Sequence, residues 1–494
     1  MRSEIPADIW RYVAGFLPVT VLLTLFSVNR TFLQIATETR YRAISFTSYK
    51  SGKPLMKYVK GSELVHSVHV QPWIVEPKES TPHSWASSTW KLLHACVSPS
   101  YGFEDSPEAQ IARRMQKQTR RIADTIKTLP ELHKYHIDWD EGPRYQTEFF
   151  SALLDMVIPN IGHRLCALAL KIPLHHMHSL PSLAKYLPAL KDLSLTLHTG
   201  VYIRMYICEK MEGLVVFVNT LLRNLRTFSL STTPTSIYLD LGPFFGHLGH
   251  GLHLTSFALC IPFDGGHLAD PAPLRRFLSR HRSTLEAINL GTTRAAAHSS
   301  PGASTAKYWI RDTFKNHAPF PALSHLSLGL RPLRTDLGPL LRHLSGVRSQ
   351  LRILKLSERP LEYAELVRIL ATLDYPPLLR VLSLRLRWLS PEIVDLLAAG
   401  LPELTALDLN FTEVVHQETS SDTSSISSQS SSGLSRESEL MFFCQAMNGK
   451  RYAHWNLTRL AVPESPRGQK WLDALECTFV GCIPALSFTE LVSV

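Results

Sequence analysis

The chain has 494 residues, 45% hydrophobic and only 19% charged, which excludes a wholly disordered polymer, poorer in apolar groups and richer in charge. Lysine plus arginine is 52 against 42 acidic residues, a formal charge of +10. That surplus is spread over several segments with no interleaved aromatics and no zinc or helix-turn-helix spacing, so no nucleic-acid partner is expected and the bias is towards acidic proteins.

Seven scattered cysteines, an odd number without a CxxC pair, exclude a disulfide framework and fit reduced thiols in the cytoplasm, the nucleus or both. Leucine divides the chain. Residues 1–150 hold 11 leucines and residues 151–494 hold 65, so the two stretches follow different rules. Near the N-terminus, Tyr12–Val28 runs for 17 residues without a charge. Glu4 and Asp8 put negative charge where a secretory signal needs positive, and Pro18 interrupts the run. The run is also shorter than the about 20 apolar residues a membrane span requires. Neither a signal peptide nor a membrane segment is expected.

The first 47 residues read as three short helices. Pro6 suits a helix N-terminus and Asp8 the first-turn dipole, with Ile9, Val13, Phe16 and Leu17 at helical spacing. Pro18 ends that helix, Thr20 is a candidate cap for a second over Val21–Val28, and a third runs from about Arg30 to Arg40 with Phe32, Ile35 and Ala36 on one face. So small a module buries little surface of its own, which predicts that it docks on something else.

The order Ile5-Pro6, Ile9-Trp10, Val13, Phe16-Leu17, Leu22, Leu25, Val28-Asn29-Arg30, Phe32, Ile35-Ala36 resembles an F-box motif. It departs from the usual pattern in opening on Ile-Pro rather than Leu-Pro and in carrying Asn-Arg after the valine. The resemblance implies docking on the Skp-type adaptor of cullin-RING ubiquitin ligases, and through that adaptor on a cullin. Carried over position by position, the adaptor-binding residues would be Ile5, Pro6, Ile9, Phe16, Leu17, Leu22, Leu25 and Val28, some of which must instead hold the module's own core.

Residues 48–130 form the join between this head and the leucine-rich part of the chain. Val65-x-x-Val68-x-Val70 suits an opening edge strand, while Trp85–Cys96 and Pro107–Leu129 suit helices capping the region beyond residue 130. From residue 131 a pattern L-x-x-L-x-L recurs at Leu132, Leu165, Leu190, Leu225, Leu254, Leu285, Leu323, Leu351, Leu379, Leu404 and Leu457, with a weaker form at Ile483. In each unit the last two leucines alternate into a core as a short strand. Helical segments come after the strands at Glu148–Val157, Met211–Arg223, Leu274–His281, Leu361–Leu373 and Pro391–Ala399, the last with Ser390 before it. A strand–helix unit leaves an apolar face open, so neighbours must stack.

This tail resembles the leucine-rich repeat, in degenerate form. The asparagine many such repeats carry three places past the last leucine is replaced, by Thr293 after Leu290 and by Thr412 after Leu409. The resulting expectation is an α/β chain: an F-box over 1–47, a helical join and cap over 48–130, and a leucine-rich-repeat-like solenoid, a horseshoe, over 131–494. The competing fold, a doubly wound sheet, would want longer apolar strands and a phosphate loop. The long interval between Leu404 and Leu457 holds residues 416–438, HQETSSDTSSISSQSSSGLSRES, a serine-rich insertion expected to be disordered. Within it Thr419 lies three before Asp422, a spacing open to acid-directed phosphorylation.

No phosphate loop, G-x-S-x-G elbow or HExxH occurs. Two histidine groups, His175-His176-His178 and His247-His250-His253, lack a cysteine or carboxylate at ligand spacing, so neither metal nor cofactor is expected. The chain reads as a non-catalytic receptor subunit of a ubiquitin ligase, with a non-ligase repeat scaffold as the alternative. Exposed positions of the repeat would contact an unknown target: Lys191, Asp192, Arg226, Glu286, Arg352, Lys355, Arg380, Arg385 and Asp408.

Overall fold

The computed structural model describes residues 5–47, 49–71, 107–139, 150–199, 204–236, 239–296, 308–314, 319–333, 336–373, 378–415, 436–462 and 469–486. The helix expected at Trp85–Cys96, Thr419 and residues 416–435 of the serine-rich insertion lie outside the described residues. The chain forms two compact units, Met1–Leu225 and Arg226–Val494.

The first unit opens on three helices: α1 (Ala7–Ala14), α2 (Val19–Thr24) and α3 (Arg30–Arg42), with one 3-10 turn at Leu25–Ser27 before α3. The expected cap at Thr20 is corrected. Pro18 takes that place at φ −56°, and Thr20 sits inside α2. Proline presets the dihedral a helix start needs and has no N–H to leave unsatisfied, so the helix begins at once behind it. Asn29 caps α3, its side chain accepting the Phe32 backbone N–H at 2.9 Å.

The same unit then carries five parallel strands: β1 (Ala43–Phe46), β2 (Ser67–Val70), β3 (Lys134–Asp138), β4 (Ala167–Pro173) and β5 (Asp192–His198), each paired with the next in sequence order. The opening strand is therefore β1, not the Val65–Val70 segment, which supplies β2. The sequence AISF has the alternation of a strand but no leucine to mark it. Between β1 and β2 lies α4 (Tyr49–Val59), and Pro107–Lys127 packs against it as a 21-residue helix.

The second unit continues the pattern with β6 (Thr227–Thr232), β7 (Ser256–Pro262), β8 (Ala287–Thr293), β9 (His325–Gly329), β10 (Ile353–Leu361), β11 (Val381–Leu389), β12 (Ala406–Val414) and β13 (Arg459–Ala461). All seven neighbouring pairs in this run are parallel. Register is set by the leucines: Leu326, Leu354, Leu382, Leu407 and Leu460 are aligned across β9–β13 and every one is buried. A slip of one residue would turn each to solvent. In β6 and β7 phenylalanine replaces the first strand leucine, and Phe228 and Phe257 are register partners that pack with Phe244, Phe245 and Phe277.

Connecting helices stack in chain order behind the second unit's strands, Ala272–Arg280 on Trp309–Phe314, then Gly338–Val347, Tyr363–Thr372 and Pro391–Gly400. Alternating strand and helix, each stacked on its neighbour, is the αβ solenoid pattern the leucine spacing implies. Two details differ. Residues 436–438, expected within the disordered insertion, begin a helix at Arg436–Met447, and β12 pairs directly with β13 across the whole interval. The segment at Ile483 forms a turn through Leu486, with no strand among the described residues.

Candidate functional site

The N-terminal helices have a very small core. Ala14, Leu22 and Phe32 are buried, with Trp10, Leu17, Leu25 and Ile35 packed against them. Trp10 lies tilted on Phe32 at 5.3 Å between ring centroids. Leu22 therefore holds the helices together and is removed from the set of candidate adaptor contacts, while Leu17 and Leu25 are half-buried against the same core. Ile5, Pro6, Ile9, Phe16 and Val28 are exposed.

They have company that the motif did not single out. Tyr12, Val19, Val21, Leu23, Phe26 and Leu33 are exposed too, as is the motif residue Val13, and Tyr12 and Phe16 meet edge to face at 4.9 Å. Eleven of the eighteen large apolar side chains exposed among the described residues fall between Ile5 and Leu33. Phe16, at 71% exposure, is the extreme case among the candidate contacts. An apolar concentration of this kind on so short a stretch marks an interaction surface.

Eight of the nine candidate target contacts fall into three places, and Arg385 on β11, opposite Asn410 on β12, is the ninth. Lys191 and Asp192 lie exposed at the start of β5 in the first unit. In the second unit, Arg226, Glu286, Arg352 and Arg380 share one row just before the strands. Backbone N–H groups link Thr255 to Arg226, Glu286 to Thr255, Ser324 to Glu286, Arg352 to Ser324 and Arg380 to Arg352. Lys355 and Asp408 belong to the next outward row, separated by Ser383, whose hydroxyl donates to Asp408 at 3.0 Å.

Not all of these charges are free for a partner. The Arg380 guanidinium lies 2.6 Å from the Glu403 carboxylate, and Arg385 is half-buried with its Nη1 donating to the Glu358 carbonyl at 3.2 Å. Glu358 has φ +74°, and its carboxylate accepts from the Thr292 backbone N–H and hydroxyl. Burial, outweighing those hydrogen bonds, raises the Glu358 carboxyl above its ordinary value. Glu358 sits in the irregular stretch of β10 between Leu356 and Leu361, where the register with β11 shifts, and its carboxylate reaches Thr292 at the end of β8; no motif in the sequence marks it.

A second arrangement also escapes a linear reading. His69 on β2 and His136 on β3 are register partners, their rings stacked 4.1 Å apart at 10°. Asp138, two residues along β3, completes a trio whose ligand atoms all lie within 4.8 Å of one another. Burial, then repulsion from His69, lowers the His136 pKa below its ordinary value. His66, Glu131 and His133 form a similar trio nearby. His69 and His136 are far apart in the chain, and only strand register joins them.

No protein-family model matches the chain, and no curated protein matches it. Among solved structures it is similar to one described as the crystal structure of the Rad7 and Elc1 complex in yeast, at 15% identity, covering 84% of this chain and 89% of that chain with a TM-score of 0.36. A likeness that low says nothing about partners or activity. No helix among the described residues is long and apolar enough to cross a membrane.

Proposed function

We propose that the chain is the substrate-recognition subunit of a Skp–cullin–F-box ubiquitin ligase, itself without a catalytic residue. The N-terminal helices would dock on a Skp-type adaptor, which would bring a cullin, and the outward rows of the repeat would hold a target. One observation carries this reading: the crowd of exposed apolar side chains between Ile5 and Leu33 on helices whose own core is Ala14, Leu22 and Phe32. A surface so apolar is costly in water and is relieved by a partner. Ile5, Ile9, Val13, Phe16 and Val28 among them are also positions at which the chain resembles an F-box.

Holding a target beside a charged conjugating enzyme raises effective concentration, which is how a receptor without chemistry of its own accelerates transfer. The test is binding of the full-length chain to purified Skp-type adaptor. Phe16→Asp and Ile9→Asp change exposed side chains and should spare the fold. Each is expected to weaken binding by about 2 kcal/mol or more, roughly thirtyfold, as for a central interface anchor. An intact chain that does not bind the adaptor, or variants that bind as well as the parent, would overturn the reading.

A further inference from the structure

We propose that His69, His136 and Asp138 form a binding site for one divalent transition-metal ion of the zinc class. The three side chains stand on the outward face of adjacent strands, alternating with Val68, Val70, Tyr135 and Ile137, which are buried. Parallel pairing places His69 opposite His136, and the two-residue repeat of a strand places Asp138 on the same face as His136. The two rings are stacked, 4.1 Å apart and 10° from parallel, and one ligand atom from each residue of the trio lies within 4.8 Å of the others.

Donor type and spacing both suit a borderline-soft cation. Two imidazoles and one carboxylate favour zinc and its first-row neighbours over calcium or magnesium, which prefer an all-oxygen shell. Ligand bonds of about 2.0 Å put tetrahedral ligand atoms about 3.3 Å apart. Starting from atoms within 4.8 Å of one another, side-chain rotation closes the difference without moving the strands. Three protein ligands leave a fourth position open.

Two observations mark the trio as incomplete by itself. The Nε2 atom of His69 is buried and has no hydrogen-bond partner, a costly state for a ring nitrogen. The Oδ1 atom of Asp138 is buried as well and makes no hydrogen bond of good geometry; its neighbour is the Lys171 ammonium at 2.9 Å. Lys171, the register partner of Asp138 on β4, stands where a cation is wanted. It is partly exposed, so releasing it costs little. The ion would clip β2 to β3 and displace the lysine. The trio of His66, Glu131 and His133 is the weaker set: Glu131 and His133 are 49% and 42% exposed, and the His133 Nδ1 is already near the Arg164 carbonyl.

Zinc binding to the chelator-treated full-length chain, followed by calorimetry near neutral pH, tests the site, with cobalt(II) as a spectroscopic substitute. One equivalent is expected in the parent. His69→Ala and His136→Ala should each weaken it by roughly tenfold or more and abolish the visible cobalt band. His133→Ala should leave both unchanged. Lys171→Met removes the competing charge and should tighten binding by roughly tenfold, which a merely structural role for these residues does not predict. Far-ultraviolet dichroism identifies any variant that has lost its fold, and His136→Gln replaces one that has. No stoichiometric zinc in the parent, or loss in His133→Ala equal to that in His136→Ala, would overturn the proposal.

Discussion

His281 shows how one side chain ties stability to pH. It is fully buried at the end of the helix Ala272–Arg280, where its Nδ1–H donates to the Phe277 carbonyl at 2.9 Å and its Nε2 accepts the Gly251 N–H at 2.8 Å. Both ring nitrogens are thus satisfied only when the imidazole is neutral. Burial, with repulsion from His250 and Arg280, brings its pKa down to about 4. The ordinary histidine value is 6.5, so between pH 6.5 and 4 the unfolded chain binds a proton the folded one refuses. Stability from this group is complete above pH 6.5 and is lost as pH falls towards 4, to a maximum of roughly 3 kcal/mol. His267 adds to the trend in the same direction: buried, it accepts the Thr232 hydroxyl at 2.7 Å and donates to the Ser236 carbonyl at 3.0 Å, and burial lowers its pKa. Denaturant unfolding of the full chain at pH 7 and pH 4.5 should give a smaller difference for His281→Gln than for the parent. An equal difference would remove His281 as the sensor.

Among the elements, α3 depends most visibly on a single cap. Asn29 is extended at φ −160° and supplies the side-chain oxygen that Phe32 N–H needs. Asn29→Ala should destabilise the helix by about 1 kcal/mol, and Asn29→Asp should restore most of it. Because Phe32 belongs to the three-residue core, the loss should appear as faster amide exchange throughout α1 to α3; unchanged exchange would show the cap to be idle. The same elements show what is legible in sequence. Leucines spaced for alternate burial locate β3 to β13, since a strand with one buried face writes that face into every second residue. Pro391 and Ser390 mark the start of the helix Pro391–Gly400 correctly, although the Ser390 hydroxyl makes no cap bond. β1 escapes such a reading because Ala43–Phe46 is short and has no leucine, and Thr20 looks like a better cap than Pro18 because hydroxyls commonly serve there. Which of Ile5, Leu17 and Leu22 faces inward is not legible at all. Helical spacing tells which residues share a face but not which of two apolar faces finds a neighbour.

At the scale of the repeats, stability should be a property of neighbours. From β7 to β12 each strand pairs with the strand before it and the strand after it, so a defect is felt first by adjacent repeats. Leu384 tests this. It is buried at 1% exposure, between its register partners Leu356 on β10 and Leu409 on β12. Truncation to alanine leaves a cavity among close-packed leucines and should cost about 2–5 kcal/mol. Native-state amide exchange is the discriminating measurement, because it resolves partial opening that a global melt averages away. Amides of β10, β11 and β12 should lose protection most, with β7 and β8 retaining theirs. The aromatic packing of Phe228, Phe257 and Phe277 around β6 and β7 gives that end its own reserve of buried surface, which strengthens the contrast. Uniform loss from β6 to β13 would mean that the second unit opens as one cooperative block, and that the leucine period marks how the strands align without marking how they come apart.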